Sequence, residues 1–126
     1  MARILVVDDE SSIRLFYAEE LADAGHEVTT SASATEAVEK LEGGDFDLVV
    51  LDIKLKNESG LDLLQKIVKE RHEMPVILCS AFSFYKDDFA SWLADGYVVK
   101  SSDPTELIEE IKRVLGKKGA ARPADA

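Results

Sequence analysis

The sequence predicts a doubly wound α/β fold, in which helices cover both faces of a parallel β-sheet. Five strand-length apolar runs alternate along the chain with five stretches of helical periodicity, as in successive βαβ units. Ile4–Val7, Leu48–Leu51 and Val76–Leu78 are almost continuously apolar, which is typical of strands buried on both faces. A chain of 126 residues is long enough to enclose such a core as one domain.

The predicted strands are short and rich in β-branched or aromatic residues. The second strand is more polar than the others, so we expect it at an edge of the sheet. The five predicted strands are Ile4–Val7, Glu27–Ser31, Asp47–Asp52, Pro75–Ser80 and Tyr97–Lys100.

Five helices are predicted from apolar residues spaced three and four positions apart. The two clearest starts are at Ser33 and Asp103, because each precedes a glutamate by three positions, as in a capping box. The apolar stripes of the five helices extend over Ile13–Leu21, Ala34–Leu41, Leu61–Val68, Tyr85–Leu93 and Leu107–Leu115.

Two glycines and the C-terminal composition predict where helices end. Gly25 and Gly116 stand where C-terminal caps are expected. Residues 117–126 have no apolar periodicity. We therefore expect one domain over residues 1–116, followed by a flexible tail or the start of a linker over 117–126.

The composition favours a soluble acidic protein over a partner of nucleic acids or membranes. Ten more acidic than basic side chains give a formal net charge of -10, which disfavours direct binding to nucleic-acid backbones or anionic membranes. Cys79 is the single cysteine, which excludes an intrachain disulfide and suits a reducing compartment. The sequence has no signal-peptide core and no apolar run of transmembrane length, so a cytoplasmic location is expected.

Charged and hydroxyl side chains gather where the predicted strands end. The carboxyl ends of parallel strands share one edge of the sheet, and ligands of doubly wound folds bind there. Carboxylates brought together repel one another unless a cation lies between them, and Mg²⁺ is the cation best suited to oxygen ligands. The residues concerned are Asp8, Asp9, Glu10, Asp52, Ser80 and Lys100.

A magnesium ion beside a lysine and a serine is a combination suited to phosphoryl transfer. The sequence lacks the GxxxxGK[ST] and GxGxxG motifs of common nucleotide sites, and a carboxylate is the remaining candidate nucleophile. Each residue also has a simpler interpretation. Asp8 and Asp9 taken alone suit a solvated helix-capping loop, and Lys100 taken alone suits the surface.

Four blocks, "LVVDDE", "LVVLDIKL", "ILCSA" and "YVVKS", resemble the signature of the response-regulator receiver domain of two-component signalling. The resemblance extends from about Arg3 to Leu115, and the blocks occur in the family's order and spacing. It implies a flavodoxin-like sheet of five parallel strands in the order 2-1-3-4-5, with five helices on two faces.

The resemblance also implies the chemistry of each residue. Asp52 would accept a phosphoryl group from a histidine kinase or a histidine phosphotransfer protein. Asp9, Asp52 and the backbone carbonyl of Lys54 would bind Mg²⁺, or Mn²⁺ in its place, and Asp8 would act through water. Such a protein is a phosphoacceptor that takes part in its own phosphotransfer and dephosphorylation, and is not otherwise an enzyme.

The remaining residues would transmit and tune the signal. Lys100 would pair with a phosphoryl oxygen, and Ser80 would move towards the phosphoryl group. Tyr97 would follow Ser80 inward, which would alter a protein-binding face formed by the fourth helix, the fifth strand and the fifth helix. Lys54 and Phe82 occupy positions that in the family influence the lifetime of the phosphoryl group, and we expect the bulk of Phe82 to lengthen it.

One departure from the family follows Lys100. Receiver domains usually have a proline there, preceded by a cis peptide bond, but this sequence has Ser101. A cis bond before serine costs about 2.5–4 kcal/mol, so we expect the backbone after Lys100 to differ from the family's.

Alternative functions remain open at this point. Ser101 is compatible with a pseudo-receiver that binds proteins without being phosphorylated. The chain could equally be the receiver part of a larger response regulator or hybrid kinase. An aspartate-nucleophile phosphatase of the haloacid-dehalogenase type is disfavoured, because Lys54 stands where that family has its second aspartate. The sequence leaves open whether the protein is a monomer or a weak, phosphorylation-dependent homodimer.

Overall fold

Strands and helices alternate along the chain, as the hydrophobic pattern predicts. The computed structural model describes residues 2–55, 58–71, 73–81, 93–100 and 103–125, the last nine as backbone only. The strands are β1 Arg3–Val7, β2 Glu27–Ser31, β3 Leu48–Asp52, β4 Lys54–Leu55, β5 Glu58–Ser59, β6 Val76–Ser80 and β7 Gly96–Val99. The helices are α1 Ser11–Asp23, α2 Ala34–Gly43, α3 Gly60–Glu70 and α4 Thr105–Asp125.

Five parallel strands form the main sheet, in the order β2-β1-β3-β6-β7. This confirms the predicted order 2-1-3-4-5, because β6 and β7 are the fourth and fifth strands of this sheet. The predicted fourth helix falls almost entirely within residues 82–92, outside the described part of the chain. Within the described residues, no helix is long and apolar enough to cross a membrane.

Strands β4 and β5 form a short antiparallel pair that the sequence pattern did not predict. Lys54 pairs with Ser59, and Leu55 pairs with Glu58. The segment 54–59 contains a single apolar residue, Leu55, so it has no alternation that would indicate a strand. The pair connects the end of β3 to the start of α3.

Two hydrophobic cores lie on opposite faces of the main sheet, because successive strand residues point to opposite sides. The first core packs α1 and α4 against the sheet, and the second packs α2 and α3 against its other face. The strand residues of the first core are Ile4, Val6, Leu48, Val50, Ile77, Cys79 and Val98. Those of the second core are Leu5, Val7, Val49, Leu51, Val76 and Leu78.

The two helix starts predicted at Ser33 and Asp103 are confirmed by their capping hydrogen bonds. The backbone N–H of Glu36 donates to Ser33 Oγ at 3.1 Å, and the N–H of Thr105 donates to an Asp103 carboxylate oxygen at 2.9 Å. Ser59 caps α3 in the same way by accepting from the Asp62 N–H. Each bond satisfies a donor that the first helical turn leaves without a partner.

One predicted C-terminal cap is confirmed and the other is wrong. Gly25 has φ 97°, and the N–H groups of Gly25 and His26 donate to the carbonyls of Ala22 and Leu21, which ends α1 in a Schellman motif. Gly116 has no such positive φ, and α4 continues past it to Asp125. Lysine and alanine after Gly116 are good helix formers. The division of the chain at residue 116 stays a prediction.

Candidate functional site

The register of the sheet aligns the carboxyl ends of its strands. Val7 of β1 lies beside Ser31 of β2 and Leu51 of β3, and Asp52 lies beside Cys79 of β6. The chain leaves β1 for β2 and then returns to β3, so the order of the strands reverses between β1 and β3. The residues that follow these two strands therefore flank the crevice where doubly wound folds bind their ligands.

Lys100 bridges two buried carboxylates at this edge. Its Nζ lies 2.8 Å from Asp8 Oδ2 and 3.2 Å from Asp52 Oδ2. The side chains of Asp8 and Asp52 are 3% and 7% exposed, and that of Lys100 is 13% exposed. The backbone N–H of Lys100 donates to the Ser80 carbonyl at 2.6 Å, which fixes the point from which the side chain extends.

Burial and the neighbouring charges shift the pKa values of Asp52 and Lys100. Burial raises the pKa of Asp52 to about 6; the neighbouring Asp8 carboxylate adds to this rise, and Lys100 opposes it. Burial alone would lower the pKa of Lys100, but its hydrogen bond to Asp8 and the charge of Asp52 together raise that pKa above its ordinary value. Lys100 therefore stays protonated, whereas Asp52 is ionised at neutral pH against a desolvation cost.

Every polar group of Asp8 has a hydrogen-bond or ion-pair partner. Its N–H donates to the Ser31 carbonyl at 3.1 Å, and its own carbonyl accepts from Arg14 Nη1 at 2.6 Å. Its Oδ1 accepts from the Glu10 N–H at 2.9 Å, and its Oδ2 contacts Lys100. Asp8 is thus fixed in place, and both of its carboxylate oxygens already have a protein partner.

A cluster of oxygen ligands lies beside this ion pair. Carboxylate oxygens of Asp8, Asp9 and Glu10 lie within 4.8 Å of one another, with Asp9 half-buried and Glu10 exposed. A donor set made only of carboxylate oxygens suits a hard divalent cation such as Mg²⁺. Asp52 reaches the cluster through Lys100, which contacts both Asp8 and Asp52. This acidic cluster therefore fits a divalent cation such as Mg²⁺, whereas the ligand set of Asp9, Asp52 and the Lys54 carbonyl stays a prediction.

The other predicted site residues lie around this centre. The N–H of Lys54 donates to Asp52 Oδ1 at 3.3 Å, so the segment after β3 begins against the carboxylate. Ser80 is buried at the end of β6. Tyr97 on β7 is half-buried against the second core. Phe82 and Ser101 lie outside the described residues.

Two sets of contacts beside the site were missed by sequence reasoning. Arg14 follows Glu10 by four positions, so its place one helical turn beyond an acidic run was a usable signal. The Tyr17 hydroxyl lies 3.4 Å from Cys79 Sγ in the first core, and Cys79 pairs with Asp52 in the sheet. No local pattern connects Tyr17 with Cys79, because the two residues are far apart in sequence.

Comparison with known proteins gives one consistent result. Residues 4–112 match the family model of the response regulator receiver domain. The chain is 36% identical to the DNA-binding transcriptional regulator NtrC of Azospirillum brasilense over 99% of its own length and 27% of the relative's. It is 34% identical to the transcriptional regulatory protein TcrA of Mycobacterium tuberculosis over 93% of its length and 47% of the relative's.

Solved structures extend this likeness to three dimensions. The response regulator TrrA of Thermotoga maritima, in complex with Mg²⁺ and BeF, is 45% identical, with a TM-score of 0.87 over 90% of this chain and 99% of TrrA. A second structure holds TrrA in complex with the histidine kinase ThkA. A CheY-like receiver domain from Methanospirillum hungatei is 33% identical, with a TM-score of 0.89 over 96% of this chain and 98% of that one.

The chain spans between about a quarter and about half of the curated relatives it matches, and nearly all of two receiver structures. Its sheet order, its family match and its structural neighbours agree. The chain belongs to the response-regulator receiver domain family of two-component signalling.

Proposed function

We propose that this receiver accepts a phosphoryl group on Asp52 from a histidine kinase or a histidine phosphotransfer protein, in a Mg²⁺-dependent reaction. The observation that supports it best is the contact of Lys100 Nζ with both Asp8 and Asp52, which gathers a nucleophile, a second carboxylate and an ammonium at one buried point. The complex of the similar protein TrrA with the kinase ThkA supports the choice of partner.

In the transfer, an Asp52 carboxylate oxygen attacks the phosphorus of a phosphohistidine. A P–O bond forms, the P–N bond breaks, and the histidine imidazole leaves. Asp52 is suited to this role because it is ionised at neutral pH yet only partly stabilised by its surroundings. Lys100, already 3.2 Å from Asp52, would turn from the carboxylate to a phosphoryl oxygen.

Asp9 and Asp52, with the backbone carbonyl of Lys54, would hold the metal ion, and Mn²⁺ is expected to substitute for Mg²⁺. When bound, the ion would neutralise charge on the phosphoryl oxygens. Asp8 would act through water, in keeping with the partners that both its oxygens already have. The Mg²⁺ and BeF bound to TrrA support the choice of metal.

Phosphorylation would then alter a protein-binding face. Ser80 would move towards the new phosphoryl group and Tyr97 would follow, which alters the surface around β7. Lys54 and Phe82 would tune the lifetime of the phosphoryl group. The product would act as a cytoplasmic signalling switch, as a monomer or a weak homodimer. It would stand alone or within a larger regulator or hybrid kinase, and the longer curated relatives favour the second arrangement.

The test is the mass of the intact protein after incubation with acetyl phosphate, with Mg²⁺ or with EDTA. We expect the wild-type protein to gain one phosphoryl group with Mg²⁺ and none with EDTA. Asp52→Asn should gain none under either condition. Asp23→Asn, an exposed aspartate at the far end of α1, is the matched control and should be labelled like the wild type.

The result that contradicts the proposal is an unlabelled wild-type protein under conditions that label a known receiver. It would favour a pseudo-receiver that binds its partners without phosphorylation. Labelling that persists in Asp52→Asn would instead place the acceptor elsewhere.

A further inference from the structure

Arg14 stands beside the acidic cluster and has no role in the chemistry described so far. It lies one turn into α1, and its backbone N–H donates to the Glu10 carbonyl at 3.0 Å as part of the helix. Its side chain turns back along the helix, and Nη1 donates to the Asp8 carbonyl oxygen at 2.6 Å. A charge-assisted hydrogen bond of this length is among the stronger contacts that a backbone carbonyl makes.

The carbonyl that Arg14 binds belongs to the peptide group that joins Asp8 to Asp9. Because a peptide group is planar, fixing the direction of its carbonyl also fixes the direction of the N–H of Asp9. Asp8 is already anchored by Ser31, by the Glu10 N–H and by Lys100. Arg14 therefore fixes the peptide group that joins the anchored Asp8 to the half-buried Asp9.

The helix itself gives this turn little support. Glu10 is the N-cap of α1, but its side chain makes no capping hydrogen bond, and the first helical turn contains no acidic residue. Asp8, Asp9 and Glu10 also repel one another when their oxygens lie within 4.8 Å. Arg14 offsets that repulsion with a positive charge and fixes the geometry with a directed hydrogen bond.

We propose that Arg14 is a positioning residue for the magnesium site: by binding the Asp8 carbonyl it orients the peptide group leading into Asp9, and so holds the Asp9 carboxylate in place for the metal ion. This inference rests on the proposed function, because it presumes that Mg²⁺ binds at Asp9. A guanidinium also repels a nearby divalent cation. Positioning and repulsion thus predict opposite effects of removing Arg14.

The experiment measures Mg²⁺ affinity by calorimetry on the intact chain. We expect Arg14→Met to raise the Mg²⁺ dissociation constant roughly tenfold, the lower end of what loss of an outer-shell partner costs a metal site. Arg14→Lys keeps the charge without the planar fork and should recover part of the loss. Arg71 is an exposed arginine at the C-terminal end of α3. Arg71→Met makes the same change of charge and should leave the Mg²⁺ affinity unchanged.

A second readout needs no metal. The backbone amide of Asp9 shares its peptide group with the carbonyl that Arg14 binds, so its NMR signal in Mg²⁺-free protein should move in Arg14→Met and stay in Arg71→Met. Circular dichroism tests whether each variant is folded, and should Arg14→Met not fold, Arg14→Lys takes its place in both measurements.

The possible outcomes separate the two proposals. An Arg14→Met protein that binds Mg²⁺ as tightly as the wild type, or more tightly, overturns the positioning role, and so does an unmoved Asp9 amide. A wild-type protein that fails to bind Mg²⁺ overturns the proposed function and this inference together. Weaker Mg²⁺ binding in Arg14→Met, with a shifted Asp9 amide and an unaffected control, supports the inference.

Discussion

Gly60 packs so closely against Asp52 that a Cβ at position 60 would overlap the Asp52 carbonyl oxygen. The same Cβ would come within 2.8 Å of the Asp52 carbonyl carbon and of Ile53 Cα. The N–H of Gly60 also donates to the Ile53 carbonyl at 2.6 Å. Helix α3 therefore begins directly against the backbone that presents the proposed phosphoacceptor, and only a residue without a side chain fits there.

Gly60→Ala is accordingly expected to be strongly destabilising. Backbone atoms cannot move aside as a flexible side chain would, so the start of α3 must shift away from β3. We expect the free energy of unfolding to fall by about 2–3 kcal/mol, in the range of overpacked sites, as measured by urea denaturation. Labelling of Asp52 by acetyl phosphate should slow as well.

Gly43→Ala provides the matched control. A Cβ at Gly43, in the last turn of α2, meets nothing within 4 Å. Alanine there should leave the stability unchanged or raise it by about 0.5 kcal/mol, because it reduces the entropy of the unfolded chain. Equal stability of the two variants would contradict the close contact at Gly60.

The raised pKa of Asp52 predicts how stability depends on pH in protein without Mg²⁺. The ordinary value is 3.8, and the folded value is about 6. Folded protein therefore binds the Asp52 proton more tightly than unfolded protein does. The resulting contribution to the free energy of unfolding is fully present below pH 3.8 and is lost as the pH rises through 6. It amounts to about 3 kcal/mol at most.

The Asp52→Asn variant has no carboxyl group to titrate at this position, so it should not lose stability in this way as the pH rises. We expect the variant to unfold at a higher urea concentration than the wild type at pH 7.5 in EDTA, and the difference to shrink towards pH 4. Asp23→Asn should show a small difference at both values. A variant that is less stable than the wild type at pH 7.5 would show that Asp52 is stabilising in its ionised form, contrary to the burial argument.

Lys100→Met tests the buried ion pair from the other side. Its removal leaves two buried carboxylates facing each other without a cation, and breaking such a pair typically costs several kcal/mol. We expect a loss of about 3 kcal/mol at pH 7.5, and a smaller loss near pH 5, where Asp52 takes up a proton. Urea denaturation at the two pH values measures both.

Two further variants make this test specific. Lys66→Met removes the exposed partner of Glu70 on α3, and no measurable change in stability is expected. The double variant Lys100→Met with Asp52→Asn should be more stable than the sum of the single changes predicts, since it removes one of the two repelling charges. Simple additivity of the two changes would mean that Lys100 and Asp52 do not interact.

Cys79 should be protected from thiol reagents in the folded protein. It is 1% exposed, and burial raises the pKa of its thiol to about 11. With a disulfide reagent at pH 8 we expect no reaction until the chain unfolds, and an immediate reaction in denaturant. Tyr17→Phe removes the hydroxyl beside Sγ but keeps the burial, so protection should persist. Rapid modification of the native protein would mean that the first core opens readily near Asp52.

The sequence was a good guide wherever the structure follows from local pattern. Apolar runs predicted the five main strands to within about one residue at each end. The shared edge of a parallel sheet predicted that Asp8, Asp52 and Lys100 would meet, and the distances between them in the structure agree. The strand order came from the family resemblance.

The sequence was a poor guide to contacts that depend on tertiary geometry. The β4–β5 pair has no alternation of its own, and it is defined by its place between Asp52 and α3. The bond from Arg14 to Asp8 depends on how the side chain turns back along α1. The length of α4 was also hard to predict. Glycine adopts positive and negative φ about equally well, so the sequence does not show whether Gly116 ends the helix or continues it.

The two-residue repeat of the strands also determines which face of the sheet receives each charge. Asp8, Asp52 and Lys100 each stand two positions after a valine of the first core, namely Val6, Val50 and Val98. The ion pair thus continues the row of side chains that forms that core. Inserting or deleting one residue at any of these strand ends would send a charge to the opposite face, whereas a change of two residues would keep it on the same face and only displace it along the strand. The site is therefore far more sensitive to the parity of these connections than to their length.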